Sequence, residues 1–410
     1  MQTSQPQTRY EPPDLQARQR FPYYRWMRGE GIPIHFDVGG TADVTAVPRT
    51  PWARTGKGLG VFLELTGTYQ AERGMFVCEI PPGEALDVQH HLYEQFTLIL
   101  QGRGATEIWQ KNGPKRTFEW NKGTLFAPPK NTYYRMFNLG QEPVIYFGVT
   151  TAPKLMNGMF VGWAIDGPES IGSASPFEFV FNCDYDFVQQ YDGREDYFSR
   201  TENREISGRY NLSVWHTNFI PNVFDESVED MEQKVAGGQL TGYRMAGGFP
   251  AGHISEWPVG RYHKAHYHGP GALLVGLKGK GYVNLWPREL GIHPWQDGHA
   301  DQVALVEWGP NSIYAPLDGW YHQHMSSGRV PARHVAIYGA GGSPMTTRVP
   351  GDGGDETNTR FIPVREGGVL IDYEDEDPEV RRYFIEANRK EGVECAMPPV
   401  TYRTDPIQAL

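Results

Sequence analysis

The chain has 410 residues, 39% hydrophobic and 21% charged, with a formal net charge of −11; that length exceeds the roughly 250 residues at which single cores stop growing, so two domains are expected. The acidic balance excludes a phosphate-backbone partner, which Lys and Arg would have to neutralise. No uncharged apolar run approaches about 18 residues, so no membrane span is expected and the protein is read as cytoplasmic.

Gly and Pro, 48 and 32 residues, are scattered rather than clustered, which suits short strands joined by turns and an all-β fold. Cys78, Cys183 and Cys395 lie far apart without a CxxC pair, so neither a disulfide framework nor a thiolate metal site is suggested. In chain order, residues 1–58 are a Pro- and Arg-rich extension expected to pack on the barrels formed by the rest of the chain. Residues 59–152 and 246–345 are two copies of one unit. Between them, 153–245 connect the copies and carry helix-compatible acidic stretches such as DESVEDMEQKV. Residues 346–410 form a second extension, with a helix predicted near 378–391. There Asp377-Pro378 precedes Val380, Tyr383, Phe384 and Ala387 on one helical face, and Gly392 ends it.

The duplication carries the architecture. Pro81, Gly83, His91, Leu100, Gly102, Gly104 and Trp109 fall on Pro258, Gly260, His268, Leu277, Gly279, Gly281 and Trp286 without a gap. Further on, Trp120, Ala127, Pro128, Tyr133 and Pro143 fall on Trp308, Ala315, Pro316, Tyr321 and Pro331. The second copy is longer between these blocks, around Leu290 to Asp301. Each copy reads as a small antiparallel barrel in which the Gly-x-Gly provides a tight strand reversal.

Chemistry concentrates in the second copy. His266 and His268 at i and i+2 share one face of a strand, so both can meet one ion while Tyr267 points away. His322, on a later strand, can face the same interior. Three neutral imidazoles suit a borderline divalent ion: Fe(II), Mn, Ni, Cu or Zn. The competing reading is that these histidines only pack and hydrogen-bond. His324 shares the face of His322, either as acid, base or hydrogen-bond partner of a substrate, or as a core histidine satisfied by backbone. Gln323 should point outward. Alternation places Tyr262 and Lys264 on the inward side, where Lys264 could hold a carboxylate or be a solvated cation. Trp286, Trp320 and Tyr338 are candidate pocket walls or ordinary core. His253, His293, His299 and His334 fit no metal spacing. In the first copy Gln89, His91 and Tyr134 occupy the positions of His266, His268 and His322, so no metal is expected there; Glu94 or His90 could compensate only through a register slip. GxSxG, Walker and dinucleotide motifs are missing from the sequence.

Gly260, five spacers, His266-x-His268, then Pro316, Gly319 and His322 together resemble the two-part signature of the cupin superfamily. With both copies the chain resembles the bicupins, which include three-histidine iron-dependent dioxygenases such as gentisate dioxygenase. The resemblance implies two double-stranded β-helix (jelly-roll) barrels with a few peripheral helices. It also implies His266, His268 and His322 as ligands, with Fe(II) foremost. Cupins commonly add a glutamate four residues after the second histidine, where this chain has Ala272. That departure speaks against a manganese site of the oxalate-decarboxylase kind. The leading expectation is an Fe(II) dioxygenase cleaving a C–C bond of a small anionic substrate such as a hydroxylated aromatic acid, with dioxygen as co-substrate. A non-redox lyase or isomerase using Zn, Mn or Ni, and a non-enzymatic binding or structural protein, are the alternatives. A homo-oligomer, most simply a dimer, is expected.

Overall fold

The computed structural model describes residues 21–66, 73–159, 177–185, 198, 204–207, 212–230, 235–246, 251–267, 273–317, 319–338 and 362–405. Strands dominate them, and helices are confined to Pro22–Gly29, Ala152–Met159, Glu178–Phe181 and Pro378–Glu391 apart from short 3-10 turns. Each copy of the repeat builds a large sheet packed on a small one in a jelly-roll-like arrangement. In the first, Leu59–Thr66, Gly74–Ile80, Val144–Thr150 and Gln95–Gln101 form the centre of an eight-stranded sheet, opposed by Gln89–His90, Tyr133–Asn138, Arg103–Trp109 and Arg116–Asn121. In the second, Gln239–Arg244, Ala251–Trp257, Ala332–Ile337 and Leu273–Lys278 lie in a nine-stranded sheet, opposed by Ala304–Trp308, Gly281–Trp286 and Tyr321–Ser326.

The aligned blocks of the two copies occupy the same register. Tyr134 pairs with Gln89 in the first copy as His322 pairs with His266 in the second. Tyr146 lies opposite Cys78 as His334 lies opposite Ser255. The Gly-x-Gly element departs from expectation: Gln95–Gln101 and Arg103–Trp109 belong to different sheets and do not pair. The glycines make a corner from large sheet to small instead of a hairpin. Gly102 and Gly279 take φ of 82° and 78°, open to glycine without strain. Gly281 faces a tighter constraint, since a Cβ there would sit 1.8 Å from the Met325 carbonyl oxygen and 2.6 Å from the Trp308 ring.

The two large sheets face each other. Val61, Leu63, Val77, Leu98 and Phe147 of the first barrel share one buried cluster with Tyr243, Ile254, Val275, Val335 and Ile337 of the second. Short strands are exchanged across this seam. Gly40–Thr41 pairs with Ile313–Tyr314 of the second barrel, while Phe219–Ile220 pairs with Leu125–Phe126 of the first. The acidic stretch after Asp225 is not helical in its described part: Glu229 pairs with Leu240 and Asp230 with Gln239. Val228 packs against the inter-barrel cluster, and that burial overrides local helix propensity.

The helix Pro378–Glu391 starts at Asp377, whose carboxylate accepts from the Glu379 N–H at 3.0 Å, and ends at Gly392 with φ 67°. Val380 and Phe384 are buried on its inner face, whereas Tyr383 is 39% exposed beneath the Arg382 guanidinium. Gly281→Ala tests the corner packing. Its methyl must displace backbone, so we expect a loss of about 2–3 kcal/mol in chemical unfolding, and Gly83→Ala, where no heavy atom lies within 4 Å, to cost less despite its positive φ.

Candidate functional site

His266 and His322 are brought together by mutual backbone pairing. The His266 N–H donates to the His322 carbonyl at 3.1 Å and the His322 N–H to the His266 carbonyl at 2.9 Å, which sets the ring centroids 4.3 Å apart. Both residues are buried. The His266 Nδ1 lies 3.0 Å from the Lys264 carbonyl and the His322 Nδ1 3.3 Å from the Trp320 carbonyl. A carbonyl only accepts, so each Nδ1 carries the proton and each ring's lone pair sits on Nε2. This tautomer is the one a metal-ligating histidine uses, with its outer nitrogen fixed by a backbone carbonyl. His268 and Ala272 lie outside the described residues. Among the described residues no three His, Cys, Asp or Glu side chains converge in metal-binding geometry.

A β-bulge decides which neighbours join this pair. Tyr262 pairs with Met325, while His266 pairs with His322. Four residues on one strand therefore span three on the other, and the extra residue reverses the alternation. Tyr262 and Lys264 consequently do not face inward. The Tyr262 hydroxyl bonds the Glu376 carboxylate and its ring packs against Phe384, while the Lys264 ammonium reaches Asp372 at 2.7 Å. His263 turns in instead: its ring lies 4.6 Å from Trp257 and 5.1 Å from His324. No residue spacing signals such a bulge.

His324 faces inward as expected, with its ring 5.4 Å from that of His322 and its Nδ1 3.1 Å from the Tyr314 hydroxyl. Burial holds the Tyr314 phenol well above its ordinary range, so it stays protonated. Gln323 faces outward and donates to Glu376 at 3.1 Å. Trp320 packs on the interior cluster of the second barrel, and Tyr338, also in that cluster, bonds the His253 imidazole. Trp286 does not line the interior. It points outward, donating from Nε1 to the Gly291 carbonyl at 3.0 Å and packing on Trp295 and Tyr321 under the longer loop. His334, which matched no spacing, is fully buried inside the barrel between Trp257 and Trp308.

The corresponding positions of the first barrel are closed. The His91 Nδ1–H donates to the Tyr93 carbonyl at 2.8 Å, and its Nε2 accepts from the Tyr134 hydroxyl at 3.0 Å. Burial pushes the His91 imidazole down to about 3. Gln89 donates to the carbonyls of Arg54 and Asp87. His90 stacks on Tyr133 and Glu94 lies 3.5 Å from Lys130, so neither meets His91 at a common site.

A C-terminal strap braces the histidine strand from its other edge. The Ile371 N–H donates to the Ala265 carbonyl at 2.8 Å, Leu370 bridges His266, and the Tyr373 hydroxyl donates to the Tyr262 carbonyl at 2.7 Å. Glu376 ties Tyr262 to Gln323, the outward neighbours of the inward imidazoles. Burial raises its carboxyl to about 7, against the lowering effect of those two hydrogen bonds. The folded state therefore binds a proton that the unfolded chain releases between the ordinary glutamate range and about pH 7. Its contribution to stability is present below that window and is lost as pH rises through it. We expect the melting temperature of the wild type to fall across this interval and that of Glu376→Gln to be flatter; parallel curves would refute the assignment.

No protein-family model matches the sequence, and no curated protein matches it. Among solved structures the chain is similar to an oxalate decarboxylase of Lactobacillus farciminis in complex with formate, at 11% identity and TM-score 0.44, covering 73% of this chain and 85% of that one. It is likewise similar to a variant oxalate decarboxylase of Bacillus subtilis, at 10% identity and TM-score 0.44, covering 73% and 76%. Likeness at this level is silent on chemistry.

Proposed function

We propose that the second barrel is a divalent-metal-dependent enzyme of cupin type that acts on a small oxygen-bearing substrate by proton-transfer chemistry, as a lyase or isomerase. The observation that carries this reading is the paired His266 and His322, each with Nδ1–H on a backbone carbonyl. With His268, which the sequence spacing would add, they would make a three-imidazole donor set suited to Zn, Mn or Ni. When bound, such an ion polarises a substrate carbonyl as a Lewis acid.

The proton-transfer part rests on His324 and Tyr314. The Tyr314 hydroxyl can donate to or accept from the His324 Nδ1. His324 can therefore present either an N–H or a lone pair to a substrate beside His322. Tyr314 and the Trp257 ring, 6.3 Å from His324, keep that exchange away from bulk water. Fe(II) dioxygen chemistry, foremost from sequence, would use the same three imidazoles, but nothing in the described geometry favours it over proton transfer.

Metal analysis of untagged protein by plasma mass spectrometry tests the reading. About one Zn, Mn or Ni per chain is expected, lost in His266→Ala and in His322→Ala, with turnover of small carboxylates unchanged in anaerobic buffer. Bound iron with stoichiometric oxygen uptake would replace the lyase reading by the dioxygenase. Protein that binds no divalent ion under metal-replete conditions would remove the metal-dependent reading altogether.

A further inference from the structure

The two barrels offer an internal comparison of what fills each interior. In the first, the buried Trp120 indole N–H donates to the Thr106 hydroxyl at 2.9 Å. The second keeps the tryptophan as Trp308 but replaces the threonine. Val283 pairs with His324 as Thr106 pairs with Met136. The Trp308 Nε1 accordingly has no hydrogen-bond partner, although the residue is buried.

Two further changes surround it. Trp257, opposite Ala332, stands where the first barrel has Ile80 opposite Val144, and its Nε1 also lacks a partner. His334 stands where the first barrel has Tyr146, and neither of its ring nitrogens has one. The three rings are contiguous. His334 stacks on Trp257 at 5.0 Å and 11°, meets Trp308 edge-on at 4.4 Å, and the two indoles lie 6.0 Å apart. Burial holds the His334 imidazole well below its ordinary range, so it is neutral. The group thus offers three N–H donors against one acceptor. Buried donors without a protein partner are met in native proteins by an ordered water or by a bound ligand. An excess of donors selects an oxygen-rich acceptor over an amine or a cation.

We propose that Trp257, Trp308 and His334 are the substrate-recognition wall of the second barrel and hydrogen-bond a carboxylate or carbonyl oxygen of the ligand. The wall lies just beyond the histidines, since the Trp257 ring is 4.6 Å from His263 and 6.3 Å from His324. The inference rests on the reading that this barrel takes a small substrate, but not on the metal. With Val283 where the first barrel has Thr106, the Trp308 indole donor is left for the ligand.

The test restores the first barrel's arrangement. Val283→Thr places a hydroxyl where Thr106 sits, and Trp308→Phe removes the N–H while keeping an aromatic ring. Oxalate, malonate and benzoate, each against its neutral amide, are titrated with tryptophan fluorescence as readout. The same titrations are repeated on His266→Ala. We expect at least one carboxylate to bind in preference to its amide, with affinity falling about tenfold in both variants. The same ratio is expected in the His266→Ala background, which would show the wall to be right even if the metal reading fails. A Val283→Thr protein that melts higher yet binds the carboxylates as the wild type does would mean that a trapped water answers these donors, and would overturn the proposal. So would a wild-type protein that binds none of the three acids at millimolar concentration.

Discussion

The candidate site depends on one pairing, the reciprocal backbone hydrogen bonds between His266 and His322. Two residues far apart in sequence are thereby fixed side by side with their rings on one face. Their Nδ1 protons are fixed by neighbouring carbonyls, so the orientation of both imidazoles is set by backbone. The bulge that precedes His266 follows from the same register. It sends Tyr262 outward and His263 inward, making the interior richer in imidazole than simple alternation allows.

That arrangement is braced from outside. The strap around Leu370 to Tyr373 binds the free edge of the His266 strand, and Glu376 bridges the outward residues Tyr262 and Gln323. Asp377 adds a second tie, capping the C-terminal helix while accepting from the N–H groups of Trp295 and Gln296 in the longer loop. A segment with no counterpart in the repeat thus secures the strand whose register the site requires. The exchanged strands Gly40–Thr41 and Phe219–Ile220 do the same for the seam between barrels.

Duplication explains how one backbone supports two interiors. In the first barrel Phe62, Phe76, Ile99, Ile108 and Met136 fill the core, and His91 has both nitrogens engaged by protein. In the second, His324, Trp257 and His334 occupy the positions held in the first by Met136, Ile80 and Tyr146. Apolar packing suffices to hold such a double sheet together, so one copy can carry stability while the other accommodates polar groups that cost stability unless a ligand meets them.

The sequence by itself determined the all-β class, the duplication, the matched register of its two blocks and the inward faces of His322 and His324, because strand alternation and repeat spacing are local properties of the chain. It placed the corner glycines but not their role, since a change of sheet and a hairpin use the same residue types. Only the tertiary structure decided that Tyr262 and Lys264 face the C-terminal strap, that Trp286 lies outside the barrel and that His263 and His334 lie within it. A bulge shifts side-chain direction by one residue without changing composition. Whether a buried N–H finds a partner depends on a residue such as Val283 on another strand, which only the folded register brings opposite.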